Sequence, residues 1–294
     1  MSKPLRILIG VVLVLVLAGV TLALTSRKAE SSLYYTSKMV RPLVVAHQGG
    51  DGIYPGNTLY AFQHAAEMGV DVIETDLRQT KDGVLVISHD ESVQRISNGT
   101  GRIPDLTYAE LQKLDAGYNW SADGGKTYPF RGKGITYTSL EAVFKALPEM
   151  HFNIDMKQTD PPIAENFCNL IRTYPMDQKV LSASFSHTNN VQFRKLCPEV
   201  TSSGDETETI QFVVLNFLGL GRLYSPEFAA FQVPLAQSGI PVVTQAFIDA
   251  AHERNVRVDV WTIDDPAEMR RLINMNVDSI ITDRPDLLLE ITGE

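Results

Sequence analysis

The sequence predicts an α/β chain: a (β/α)8 TIM barrel of about 250 residues with a small insertion after its third strand, preceded by one N-terminal transmembrane helix. Three observations predict it. Short β-branched runs alternate with helix-like stretches from residue 42 onward, polar residues collect at the ends of those runs, and an uncharged apolar run precedes them all. In chain order the strands read as residues 43–47, 72–77, 84–89, 152–156, 180–184, 258–263 and 279–282. Two weaker candidates, near 200–202 and 231–233, compete for the remaining position. Helix signals fall between the strands. Thr58 is placed to cap a helix that stops at Gly69, with Leu59, Phe62 and Ala66 on one face. Thr107 and Glu110 have capping-box spacing, and Asp265 followed by Pro266 opens another helix. The stretch from 91 to about 145 is too long for one helix and rich in Gly, Tyr and Asp, so it reads as an inserted subdomain over one end of the barrel.

The charge is unevenly placed. The chain's 294 residues hold 35 Asp and Glu against 26 Lys and Arg, a net charge of −9, which argues against a nucleic-acid partner. Residues 1–28 contain Lys3, Arg6, Arg27 and Lys28 and no acid, so a basic head is joined to an acidic body. Between residues 7 and 24 there is no charge, and Thr21 is the single polar side chain. As a helix this run would reach about 27 Å, close to the hydrocarbon thickness of a bilayer. It is longer than a signal-peptide core and ends in a poor cleavage site, so it reads as an uncleaved anchor over residues 1–28. Residues 29–41 then read as a tether and 42–294 as the barrel domain, expected outside the cytoplasm (in the periplasm if the source is bacterial). Two cysteines, Cys168 and Cys197, are too few for a disulfide scaffold or a Cys-based zinc site. Residues 212–231 carry a run of Phe, Leu and Val that reads as a core helix and loop, or as an apolar lip around the site or a lipid-meeting surface.

The polar residues that end the strands carry the chemistry. The first strand ends in His47-Gln48-Gly49-Gly50, the second contains Glu74 and Asp76, the third ends in His89-Asp90, and the fourth holds Asp155 and Lys157. Residues i and i+2 of a strand face the same way, so Glu74 and Asp76 point together, as do Asp155 and Lys157. Carboxylates directed into an apolar barrel need compensation. A hard divalent cation, Mg²⁺ or Ca²⁺, on Glu74, Asp76 and Asp155 would supply it. His47 and His89 beside such an ion suit general acid–base work, and Lys157 suits neutralisation of a phosphoryl group. No Walker loop, Rossmann fingerprint, nucleophile elbow or zincin motif competes.

These residues resemble the glycerophosphodiester phosphodiesterase family. The resemblance runs in order through Ala46-His47, Glu74-Thr75-Asp76, Thr80-Lys81-Asp82-Gly83, His89-Asp90 and Asn98-Gly99-Thr100-Gly101-Arg102. It continues through Leu114-Asp115-Ala116-Gly117, Asn153-Ile154-Asp155-Met156-Lys157, Ser184-Phe185, Val260-Trp261-Thr262-Ile263-Asp264 and Ile280-Ile281-Thr282-Asp283-Arg284-Pro285. It implies a TIM barrel and metal-dependent cleavage of a phosphodiester. His47 and His89 would be the acid–base pair, Glu74, Asp76 and Asp155 the metal ligands, and Lys157 would face the phosphate. The implied products are sn-glycerol 3-phosphate and an alcohol, and some members of the family act on lysophospholipids. Three positions depart from the family pattern: Gln48 stands where an arginine is usual, Gly56 where a glutamate is usual, and Asp155 where a glutamate is usual. Loss of the arginine and the first glutamate together leaves no charge unpaired. Gln48, Lys157 and Trp261 are the expected substrate contacts; as strand-end aromatics, Trp261 and Phe185 either line the mouth or belong to the core. The alternatives are a catalytically silent phosphodiester-binding homologue and a sphingomyelinase D-like enzyme that forms a cyclic phosphate.

Overall fold

The computed structural model describes residues 4–6, 9–10, 19, 21, 24–36, 39 and 42–293. The elements are β1 (Leu43–Ala46), α1 (Leu59–Met68), β2 (Val72–Gln79), β3 (Leu85–Ile87), α2 (Tyr108–Leu111), α3 (Leu140–Ala146) and β4 (His151–Met156). They continue as α4 (Ala164–Thr173), β5 (Val180–Ala183), α5 (His187–Leu196), β6 (Thr201–Ser202), α6 (Glu206–Phe217) and β7 (Ala230–Pro234). The last are β8 (Ala236–Gln237), β9 (Ile240–Pro241), α7 (Gln245–Glu253), β10 (Arg257–Trp261), α8 (Pro266–Asn274), β11 (Ser279–Thr282) and α9 (Pro285–Thr292).

Eight parallel strands stand side by side in the order β6-β5-β4-β2-β1-β11-β10-β7. The seam between β6 and β7 is closed by a parallel bridge from Ser203 to Ala230, with Gly204 N–H donating to the Ala230 carbonyl at 2.9 Å. Closure removes the two sheet edges that would otherwise be free to pair. The helices cover the outside because their inner faces are apolar. In α1, Thr58 caps the first turn through Ala61 N–H, Gly69 ends the last at φ 91°, and Ala61, Phe62 and Ala65 are buried between. The rings of Phe212, Phe231 and Phe247 meet at 4.7–5.4 Å where α6 and α7 pack on β7.

The strand between 84 and 89 is a correction to the sequence reading. β3 pairs with β2 antiparallel, Leu77 opposite Ile87, and is not a barrel stave. Its apolar run signals burial but not direction. Direction follows from the link: residues 80–83, turning at Gly83 (φ 84°), are too few for a parallel crossover. Both weaker candidates are therefore staves, β6 and β7, and the insertion follows a hairpin rather than a third stave. It carries its own small core of Val86, Val93, Ile103, Leu111, Ile135 and Tyr137.

The stretch read as a tether is in contact with the barrel. Ala29 N–H donates to the Arg254 carbonyl at 2.8 Å, and Asn255 Nδ2 donates to the Ala29 carbonyl at 2.9 Å. Tyr34 is buried, with its ring against His151, and Arg257 stacks on Tyr35. The two tyrosines close the N-terminal end of the barrel over Leu43, Val45, Val72, Leu181 and Ile281. Among the described residues no helix is long and apolar enough to cross a membrane. Most of the predicted anchor, residues 7–24, lies outside the described residues, and the described ones within it (Ile9, Gly10, Gly19, Thr21 and Leu24) are helical.

Cys168 of α4 and Cys197 after α5 form a buried disulfide. It bridges a separation of 29 residues. Opening a loop of that size removes a constraint on the unfolded chain of about 2–4 kcal/mol. Urea unfolding with and without dithiothreitol is expected to show that loss as a lower midpoint; equal midpoints would show the bond contributes nothing.

Candidate active site

The site is built at the C-terminal ends of β1, β2, β4 and β11, the end at which barrels place their chemistry. The register puts Asp76 of β2 beside Asp155 of β4, and Glu74 beside Asn153. Alternation along the strands turns all four inward. Two carboxylates on one rung repel, and Lys157, two residues beyond Asp155, lies between them. Its Nζ is 2.6 Å from Asp155 Oδ2 and 3.2 Å from Asp76 Oδ1. Burial alone would lower the Lys157 pKa, but Asp155, Asp76 and Glu74 together raise it, so the ammonium is fixed. The other Asp76 oxygen accepts from Gln48 Nε2 at 3.2 Å and Asn57 Nδ2 at 2.8 Å.

His47 stands on the turn that follows β1. Its Nδ1 is 2.6 Å from Asp283 Oδ1, and its Nε2 is 3.9 Å from Glu74 Oε2. Burial opposes the charged ring, yet Glu74 and Asp283 outweigh it and raise the His47 pKa to about 9. A folded pKa above the unfolded value means the stabilisation is complete below about pH 6.5 and is lost as pH rises toward about 9. In metal-free buffer His47→Gln is therefore expected to lower the melting temperature at pH 6 and to do so less at pH 9.5. An equal loss at both values would refute the charged pair.

The turn itself is shaped for close approach. Gln48 adopts φ 50°, its N–H donates to Glu74 Oε2 at 3.1 Å, and its carbonyl accepts from Asn57 N–H. A Cβ on Gly49 (φ 81°) would come within 2.5 Å of the Phe62 ring, so only glycine lets α1 pack against the turn. The departure at Gly56 has a counterpart here. A Cβ there would meet Asp51 Oδ1 at 2.5 Å, and that oxygen accepts the Gly56 N–H at 2.8 Å. A side chain at 56 and the Asp51 carboxylate exclude each other, and this chain has the second.

His89 stands apart from His47, on the loop after β3. Its Nδ1 is 2.8 Å from Asp90 Oδ1, and the other Asp90 oxygen holds Arg95. Arg78 fixes the loop through two bonds to the His89 carbonyl, at 3.0 and 2.8 Å. His89, Asp90 and Arg95 line one cleft with Gln48 and Asn57. Trp261 and Phe185 stand edge to face at 5.9 Å on the other side, with the Lys157 ammonium 5.0 Å from the Phe185 ring. Phe185 is 54% exposed and stands at the mouth, whereas Trp261 is partly buried and packs inward against the cluster that contains Val45 and Ile281.

The predicted residues thus gather at one end of the barrel, but Asn57, Asp283 and Asp90 were not assigned roles from the sequence. Asn57 also accepts from Thr75 Oγ1 at 2.7 Å, which fixes its amide toward Asp76. Asp283 was legible in principle: β1 pairs with β11, Ala46 opposite Thr282, so the next residue of each strand meets its neighbour.

The donor set fits a hard cation in chemistry. Asp155 Oδ1 is buried without a hydrogen-bond partner, and burial with like charge raises the pKa of both Asp155 and Glu74. Each is relieved by positive charge. Among the described residues the one set of three donors within 4.8 Å of one another is Cys168, Cys197 and Glu199, whose sulfurs are joined in the disulfide. The three carboxylates are a looser group, with Lys157 between two of them.

The family profile described as the glycerophosphoryl diester phosphodiesterase family matches residues 47–287. A glycerophosphodiester phosphodiesterase from Caldanaerobacter subterraneus is 32% identical over 260 residues, 86% of this chain and 98% of the relative. A human lysophospholipase D is 25% identical over 273 residues, 83% of this chain and 84% of the relative. A crystal structure of a glycerophosphodiester phosphodiesterase from Agrobacterium tumefaciens, 26% identical, superposes with a TM-score of 0.66 over 85% of this chain and 99% of its own.

Proposed function

The chain belongs to the glycerophosphoryl diester phosphodiesterase family, and from that premise we propose that it hydrolyses glycerophosphodiesters to glycerol 3-phosphate and an alcohol. Lysophospholipids are the second substrate class, favoured by the lysophospholipase D relative. The observation that carries the reading is the His47–Asp283 pair set beside Glu74, with Lys157 held at the same mouth.

In this reading Asp283 holds Nδ1 of His47, so Nε2 is the nitrogen that exchanges a proton with substrate. Asp90 does the same for His89. One histidine takes the proton of the attacking water or neighbouring glycerol hydroxyl, and the other returns a proton to the leaving oxygen. Lys157, Gln48 and Arg95 meet the phosphoryl oxygens, and Trp261 with Phe185 packs against the carbon skeleton. Glu74, Asp76 and Asp155 are the residues that would hold Mg²⁺ or Ca²⁺, which when bound would offset charge on the phosphoryl group.

The chain is further proposed to be anchored by residues 7–24, with the barrel outside the cytoplasm. The uncharged apolar run supports the anchor, and the Cys168–Cys197 disulfide supports an oxidising compartment.

The test uses the full chain with glycerophosphocholine and lysophosphatidylcholine, with and without EDTA. Turnover that EDTA abolishes and Ca²⁺ or Mg²⁺ restores is expected, and Asp155→Asn, which removes one ligand charge, should raise the metal concentration needed. No turnover of either diester under any metal would overturn the proposed activity.

A further inference from the structure

Helix α6 is apolar on two faces. Phe212 is buried in the core, while Ile210, Val214, Phe217 and Leu218 are 55%, 52%, 71% and 66% exposed. Their spacing of three and four residues makes one continuous stripe, and Leu220 extends it at 40% exposure. A stripe of this kind on a globular domain marks a surface made for contact. Its position follows from the fold. α6 is capped by Asp205 beside the closing bridge at the C-terminal end of β6 and runs back for 12 residues, about 18 Å. Its last turn therefore lies at the floor of the barrel, the end opposite His47 and His89.

The chain's own N-terminal segment reaches the same rim. Arg27 N–H donates to Ser225 Oγ at 3.1 Å, Ala29 N–H to the Arg254 carbonyl at 2.8 Å, and Arg254 Nη1 to the Arg222 carbonyl at 2.8 Å. Residues 27–29 thus run beside 222–225, directly after the exposed Phe217, Leu218 and Leu220. Leu24, just before them, is 81% exposed. Arg27, Lys28 and Arg222 are exposed along these two stretches, against the exposed acids Glu30 and Glu227. Apolar side chains flanked by basic ones, where an uncharged apolar run leaves the body, are the composition of a membrane interface.

We propose that the lower end of α6 and the turn after it, Phe217, Leu218 and Leu220 foremost, rest in the headgroup and upper acyl region of the bilayer that holds the anchor. The floor of the barrel then faces the lipid and the active site opens away from it. The inference rests on the anchoring reading above. Of the readings the sequence leaves open for residues 212–231, it takes the lipid-meeting surface over the apolar lip around the site, because the exposed Phe217, Leu218 and Leu220 lie at the opposite end of the barrel.

The test places a reporter on the surface of the full chain. Phe217→Trp and, separately, Leu218→Trp are reconstituted in vesicles of phosphatidylcholine and phosphatidylglycerol with and without bromine on the acyl chains. Both positions are exposed, so neither change disturbs the core. The emission that each variant adds is expected to be quenched by brominated chains. The native Trp120 and Trp261, both at the active-site end, are expected to keep theirs. A chain that floats with vesicles while neither reporter is quenched keeps the anchor and overturns the contact, leaving a second copy of the chain as the occupant of the stripe. A chain that does not float overturns the anchor and this inference with it. Quenching of Trp120 and Trp261 in the parent chain would overturn the orientation.

Discussion

Replacing His89 or His47 with alanine is expected to lower kcat for glycerophosphocholine by about 10²–10⁴-fold, the range of a general acid or base. The two losses should not multiply, because each histidine acts in the same transition state and removing one leaves the other little to assist. Asp283→Asn separates positioning from proton transfer. The carboxylate keeps the His47 proton on Nδ1 and adds charge beside the ring, whereas an amide can do neither reliably. We expect a smaller fall in kcat, a KM close to the parent value, and a pH–rate profile displaced toward lower pH because His47 loses one of the charges that raise its pKa. A His89→Ala enzyme with the parent kcat would remove that residue from the mechanism.

The second large effect is on stability. Lys157→Met in metal-free buffer is expected to destabilise the fold by about 3–5 kcal/mol at pH 7, the usual result of breaking a buried pair by removing one partner. Asp155 and Asp76, 6% and 1% exposed, would be left facing each other without the ammonium. The sign with pH follows from Asp155 and Glu74, whose folded pKa values lie above the unfolded ones. Their protonation is favoured in the folded state, so the gap between variant and parent should narrow as pH falls below 7. Added Ca²⁺ or Mg²⁺ should recover part of the loss in the variant, since the cation would take over the role of the ammonium. Urea denaturation at pH 7 and pH 5 measures both effects. A gap that widens at pH 5 would show that these carboxylates are not the source of the penalty.

Much of this was legible in the sequence because closed barrels leave few arrangements open. Once β1 and β2 are parallel neighbours, the residues that end them must meet, and His47, Glu74, Asp76 and Asp155 do share one mouth. The helix caps at Thr58, Thr107 and Asp265 depend on three or four adjacent residues and formed as the pattern required. Burial without direction was less informative. The run at 84–89 looked like a stave because hydrophobicity has no sense of parallel or antiparallel, and only the short link at 80–83 contains it. Contacts over long separations were least legible. Asp283 is 236 residues from His47, and no local pattern announces that pair until the closure of β11 on β1 is known. The same holds for the floor, where residues 29–35 look like a linker by composition yet pack by virtue of two tyrosines.

That floor sets where the molecule can safely be cut. Under Tyr34 and Tyr35 lie Asp259, whose pKa burial pushes up to about 6, and Asn153, each with an oxygen that has no hydrogen-bond partner. A shortened version beginning at residue 42 would admit water to both, return Asp259 toward an ordinary carboxylate, and expose Leu43 and Ile281 at an open end. A soluble version meant for kinetics or crystallisation should therefore begin ahead of Ala29, keeping the aromatic stopper in the barrel even when the apolar run is removed.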